Sequence, residues 1–98
     1  MASKVAIITG GGSGIGRAAA LSLMKRGYQV ALCGRRLDAL NETVTLGKGS
    51  SANALAIKAN VTTSAAVNDV FAQTLKKFGR VDVVFNNAGI FPPRALFE

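Results

Sequence analysis

Most of the chemistry legible in this chain sits in eight residues, Thr9-Gly10-Gly11-Gly12-Ser13-Gly14-Ile15-Gly16. They follow the apolar run Val5-Ala6-Ile7-Ile8 and lead into Arg17-Ala18-Ala19-Ala20-Leu21, which reads as a helix. A strand, a glycine turn and a helix start together make an anion site. The N–H groups of the first helical turn have no intrahelical acceptor, and the helix dipole favours negative charge there. Glycine suits the turn because the backbone visits positive φ and because a Cβ would hold a phosphate away from the N–H groups. Glycines at 10, 14 and 16 give G-x-x-x-G-x-G and not the G-x-G-x-x-G of the general dinucleotide fingerprint. Gly11 and Gly16 have the separation of a P-loop, but Arg17 and Ala18 stand where that loop needs Lys and then Ser or Thr. Ala18 cannot ligate Mg²⁺, which argues against a nucleoside triphosphatase. The competing reading is a flexible glycine turn without a ligand, and the flanking strand and helix weigh against it.

Basic residues supply the second candidate. The chain carries a net charge of +7 over 98 residues, with adjacent pairs at Lys25-Arg26, Arg35-Arg36 and Lys76-Lys77. Two of these pairs fall at predicted helix C-termini, where cations suit the dipole. Arg35-Arg36 falls at a predicted helix start, where cations oppose it, so folding alone does not account for that pair. No basic stripe interleaved with aromatics appears, nor any helix-turn-helix or zinc spacing, which argues against a nucleic-acid partner. Cys33 is the only cysteine and has no internal partner, so a reducing, cytoplasmic setting is expected. Nothing near it marks a nucleophile, and it reads as a small buried hydrophobe. The apolar runs are too short to cross a bilayer, and the first of them breaks at Thr9 before any cleavage-like site, so no membrane partner is expected.

Positioning these residues takes a regular alternation of elements. Lys4 to Thr9 reads as a buried strand, and Gly14 to Arg26 as a helix ended by Gly27. Tyr28 to Cys33 is the second strand, and Leu37 to Leu46 a helix with Leu37, Leu40 and Val44 on one face. After the loop 47–51 comes a third strand, Ala54 to Ala59. Val67, Val70, Phe71, Leu75 and Phe78 then recur at helical spacing, with Thr62 or Thr63 as the cap and Gly79 as the stop. Val81 to Phe85 is a fourth strand, Asn86-Asn87-Ala88-Gly89 its exit loop, and Pro92-Pro93 prevents an immediate helix. Strand starts near 4, 28, 54 and 81 form a βα rhythm without sequence repeats. The expected fold is α/β, a Rossmann-type parallel sheet in the order 3-2-1-4 with helices on both faces and the ligand at the switch point.

Four motifs in this order resemble the short-chain dehydrogenases/reductases, single-domain branch: Thr9-Gly10-x-x-x-Gly14-x-Gly16, Gly34-Arg35-Arg36, Asn60-Val61 and Asn86-Asn87-Ala88-Gly89. The resemblance spans all 98 residues. The extended branch would have glycine at position 13, where this chain has Ser13. The resemblance implies that Gly10, Ser13, Gly14, Ile15 and Gly16 surround the pyrophosphate of a dinucleotide. It implies that Asn60 and Val61 lie at the adenine, although the family usually has Asp-Val there. An Asn carbonyl still accepts from the adenine amino group but brings no charge; a loop Asn capping its own backbone is the alternative. Asn87, Ala88 and Gly89 would line the ribose on the nicotinamide side, while Asn86 ties the strands together.

Cofactor choice turns on the end of the second strand. An NAD-binding chain places an acidic residue there to accept from the ribose 2′-OH. Here the position is Gly34, with no carboxylate before Asp38, and Arg35 and Arg36 offer planar donor forks suited to a 2′-phosphate. NADP is therefore expected over NAD. The family's catalytic set is a Ser followed by Tyr-x-x-x-Lys, in which the tyrosine exchanges a proton during hydride transfer. The only tyrosine is Tyr28, with Leu32 four residues later, so no catalytic residue is assigned in this chain. The expectation is the N-terminal dinucleotide-binding part, residues 1–98, of one Rossmann-type domain whose remainder lies outside the chain. The complete protein would be a homo-oligomeric oxidoreductase acting on a small carbonyl or secondary alcohol. The other reading is a non-catalytic dinucleotide-binding or sensor module that ends near Glu98.

Overall fold

The computed structural model describes residues 4–12, 14–48, 53–60 and 63–86. The elements run β1 (Val5–Thr9), α1 (Gly14–Lys25), β2 (Gln29–Gly34), α2 (Leu37–Leu46), β3 (Ala54–Lys58), α3 (Ser64–Phe78) and β4 (Val83–Phe85). Among the described residues the strands form one sheet in the order β3-β2-β1-β4, and every pairing is parallel. That is the expected Rossmann-type order.

The alternation of side chains along buried strands builds two cores, one on each face. Ile7, Ala31, Cys33 and Ile57 face α3 and pack with Val67 and Val70. Ala6, Ile8, Val30 and Leu32 face the other way and pack with Ala20 of α1 and Leu40 of α2. All five residues of β1 are fully buried. Each large aliphatic side chain so removed from water contributes roughly 1.5–3 kcal/mol, and β1 is where the two cores meet.

The helix ends follow their sequence signals. Gly27 takes φ 89°, and the N–H groups of Gly27 and Tyr28 close α1 by donating to the carbonyls of Met24 and Leu23. Thr63 caps α3, its Oγ1 accepting from the Ala66 N–H at 3.1 Å, and Gly79 ends it in the left-handed conformation.

Two predicted faces differ in detail. In α2, Leu37 is 42% exposed, and the buried residues are Leu40 and Thr43. In α3, Leu75 is 48% exposed and Thr74 is fully buried beside Val67 and Val70. Positions 67, 70 and 74 share one helical face, and Leu75 stands a further 100° or so round the helix. The Thr74 hydroxyl donates to the Val70 carbonyl at 2.7 Å, which satisfies it without leaving the core. The fourth strand also begins at Val83 and not at Val81. Ahead of it, the Asp82 N–H donates to the Val5 carbonyl at 2.8 Å and the Asp82 carboxylate accepts from the Val5 N–H at 2.8 Å. Arg80 grips the same carboxylate with Nε and a terminal nitrogen at 2.8 and 2.6 Å.

Candidate functional site

The glycine turn leaves the C-terminal end of β1 and is pinned to β2, the Gly10 N–H donating to the Cys33 carbonyl at 2.8 Å. Gly10 and Gly14 adopt φ 67° and 58°. A Cβ at Gly14 would meet nothing within 4 Å, whereas a Cβ at Gly16 would overlap the Gly10 carbonyl. The two glycines therefore serve different ends. Gly16 lets α1 close onto the strand, and Gly14 keeps the space in front of the turn open. The first turn of α1 contains no acidic residue, so its dipole is not offset by a carboxylate of its own. Ile15, in that turn, is 68% exposed.

Beside the turn, a cavity of about 560 Å³ opens between β2 and α2, lined by Gly10, Gly12, Arg17, Gly34, Arg35 and Arg36 among others. Gly34 closes β2, and a Cβ there would touch only Leu40 Cδ2, at an ordinary 3.5 Å. Arg36 is the N-cap residue of α2 and makes no side-chain cap bond. An Asn, Asp or Ser there would stabilise the helix by roughly 1 kcal/mol. Arg36 instead pairs with Asp38 at 3.2 Å on the exposed surface. Hydrogen bonds from Arg36 and from the Ala39 N–H hold the Asp38 carboxyl below its ordinary range. Arg35 reaches Asn60 Oδ1 at 3.5 Å, a long contact with a neutral group. Among the described residues no carboxylate lies within ion-pair distance of Arg35.

Sequence reasoning did not assign Arg17, which lines the cavity, or Thr43, which is buried behind it, to the site. The Thr43 hydroxyl donates to the Gly11 carbonyl at 2.7 Å and accepts from Arg17 Nε at 2.9 Å. Arg17 also donates to the Ala39 carbonyl at 3.1 Å and pairs with Glu42 at 2.7 Å. A threonine one position from the expected apolar face was the only signal for this arrangement.

Of the predicted site residues, the structure brings together Gly10, Gly14, Ile15, Gly16, Arg35, Arg36 and Asn60 around the C-terminal ends of β1, β2 and β3. Ser13, Val61, Asn87, Ala88 and Gly89 lie outside the described residues. Thr9 Oγ1 lies 3.5 Å from both the Phe85 carbonyl and Asn86 Oδ1, where β1 and β4 end. Tyr28 is at the opposite end of the sheet, before β2, half-buried against the core that holds Ala6, Ala20 and Val30. Cys33 is fully buried, and burial pushes its thiol up to about 12, which makes it inert. Among the described residues there is no cluster of His, Cys, Asp or Glu able to hold a metal ion, and no helix long and apolar enough to cross a membrane.

What this end of the sheet can do is hold an extended anionic ligand. A helix start and a glycine turn could hold one phosphate group, and an arginine pair follows the neighbouring strand β2, where it could hold another. Comparison with known proteins agrees with that geometry. The family described as short chain dehydrogenase matches residues 4–98. An uncharacterized oxidoreductase of Listeria monocytogenes is 39% identical over 90 residues, covering 92% of this chain and 36% of its own length. The short-chain dehydrogenase/reductase homolog YusS of Bacillus subtilis is 39% identical over 89 residues, 90% of this chain and 82% of its own. The chain thus spans about a third of the first relative and most of the second. Among solved structures, the apo form of glucose dehydrogenase from Caenorhabditis elegans superposes with a TM-score of 0.82 at 42% identity, over 90% of this chain and 38% of that one. A short-chain dehydrogenase/reductase of Burkholderia phymatum, solved in complex with NAD, gives 0.82 at 36% identity, over 90% of this chain and 31% of that one.

Proposed function

This chain belongs to the short-chain dehydrogenase family of oxidoreductases, and on that footing we propose that it supplies the cofactor-binding part of an NADP-dependent enzyme. The reaction is hydride transfer between the nicotinamide and a carbonyl or secondary alcohol. The residues fit such a cofactor. The space a side chain at Gly14 would enter is open, and the adjoining cavity carries arginines at the end of β2. Gly10, Ser13, Gly14, Ile15 and Gly16 would hold the pyrophosphate, and Arg35 and Arg36 the 2′-phosphate. Asn60 and Val61 would meet the adenine, and Asn87, Ala88 and Gly89 the second ribose. When bound, the nicotinamide supplies the hydride donor or acceptor. The residues of this chain bind and orient it. With Tyr28 at the far end of the sheet, none of the described residues is given a proton-transfer role.

The observation that carries the choice of NADP is the exit of β2. Gly34 stands where a carboxylate would accept from a ribose 2′-OH, and Arg35 follows with no carboxylate paired to it among the described residues. The alternative is NAD, favoured by the Burkholderia relative that was solved with it. Competition separates the two. Adenosine 2′,5′-bisphosphate should displace a bound dinucleotide at least about tenfold better than 5′-AMP, as a charge-assisted contact to the extra phosphate requires. Equal displacement by the two would favour NAD.

A further inference from the structure

Three threonines lie within the helices α2 and α3, and two of them follow the usual local pattern. Thr45 and Thr74 donate to the carbonyls four residues back, Asn41 and Val70, at 3.1 and 2.7 Å. Thr43 departs from it. Its equivalent acceptor, the Ala39 carbonyl, is 3.2 Å away, but Arg17 donates to that oxygen at 3.1 Å. A hydroxyl has one proton to give, and here it goes to Gly11 at 2.7 Å, while Arg17 Nε fills a lone pair of Oγ1 at 2.9 Å. The result is a directed chain from Arg17 through Thr43 to Gly11, with Thr43 fully buried. It joins three parts of the proposed site: the first turns of α1, the helix α2 that follows Arg35-Arg36, and the middle of the glycine turn.

A trans peptide is planar, so fixing the Gly11 carbonyl also fixes the direction of the Gly12 N–H. Without that bond, nothing intrinsic to three consecutive glycines selects one orientation. We propose that Arg17, although it lines the cavity, and the buried Thr43 are positioning residues for the dinucleotide, acting by setting the Gly11–Gly12 peptide and the reach from the glycine turn to α2 rather than by contact with the cofactor. This rests on the dinucleotide reading above. Because the turn serves the part common to NAD and NADP, the effect on the two should be equal.

The test is titration of the full chain with NADP and with NAD, alongside thermal melts, for Thr43→Val, Thr43→Ser and Arg17→Met. Thr43→Val keeps the shape and removes the hydroxyl. Arg17→Met keeps the stem at a partly exposed position, so it remains informative should the valine variant fail to fold. Both should raise the dissociation constants for NADP and NAD by about tenfold alike, with Thr43→Ser restoring them. A lower melting temperature with unchanged affinities would show a merely structural clamp and overturn the proposal. A loss confined to NADP would show Arg17 touching the 2′-phosphate directly and would overturn it too. If the unaltered chain bound neither cofactor, the dinucleotide reading itself would fall, and the proposal with it.

Discussion

Gly16 lies against the carbonyl of Gly10 so closely that a Cβ between them would overlap the backbone. The first turn of α1 is thereby seated directly on the end of β1. Five residues, Gly11 to Ile15, separate the two in sequence, and Gly14 among them faces open space at φ 58°. Gly16 is required by the contact it makes, and Gly14 by its left-handed backbone, in front of open space.

Alanine substitutions should separate these roles. Gly16→Ala forces the backbone apart and should cost more than the roughly 1–3 kcal/mol of ordinary overpacking. Gly14→Ala should cost only about 1–2 kcal/mol, the penalty of a left-handed residue, and should fold while losing dinucleotide binding. Denaturant melts and cofactor titrations on both variants check this. Normal binding by a folded Gly14→Ala chain would make the turn structural only.

At the β2 exit, a Cβ at Gly34 has room, and Arg36 is held by Asp38 in an exposed pair that is easily broken. Gly34→Asp should therefore fold and move preference toward NAD by at least about tenfold, through a new acceptor for the 2′-OH and repulsion of the 2′-phosphate. Asp38→Asn should act in the opposite sense, tightening NADP by releasing Arg36. Isothermal titration with each cofactor gives the ratio, and a ratio unmoved by either change would place the cofactor elsewhere.

Asp82 predicts a dependence on acid. Hydrogen bonds from Arg80 and from the Val5 N–H lower its carboxyl below the ordinary 3.8. A group depressed in the folded state stabilises fully above its unfolded value, and that stabilisation is lost as pH falls below 3.8 through the folded value. Asp82→Asn should lower the denaturation midpoint at neutral pH and narrow the gap from the parent chain in acid. A gap constant across that range would contradict the assignment.

Legibility in the sequence followed the range of the interaction. The glycine turn, the helix Leu37–Leu46 and the sheet order could be read because glycine punctuation and apolar periodicity are local signals. Thr43 and Thr74 were missed because periodicity scores only apolar types. A threonine whose hydroxyl is satisfied by a nearby carbonyl can be buried like a valine. Leu75 was placed in the core by type, although the phase set by Val67 and Val70 turns it outward. The role of Asp82 had no local signal, since its partner Val5 lies 77 residues away. Of the two arginines, sequence treated both alike, and only the fold distinguishes Arg36, paired with Asp38, from Arg35 beside the neutral Asn60.

That difference makes Arg35 the most direct test of the account. Paired titrations of NADP and NAD against the parent chain and Arg35→Ala measure its contribution. The parent should prefer NADP, and Arg35→Ala should lose roughly 1.5–3 kcal/mol of NADP binding, about one to two decades, with NAD little changed. Equal losses for both cofactors, or a parent chain that prefers NAD, would contradict it.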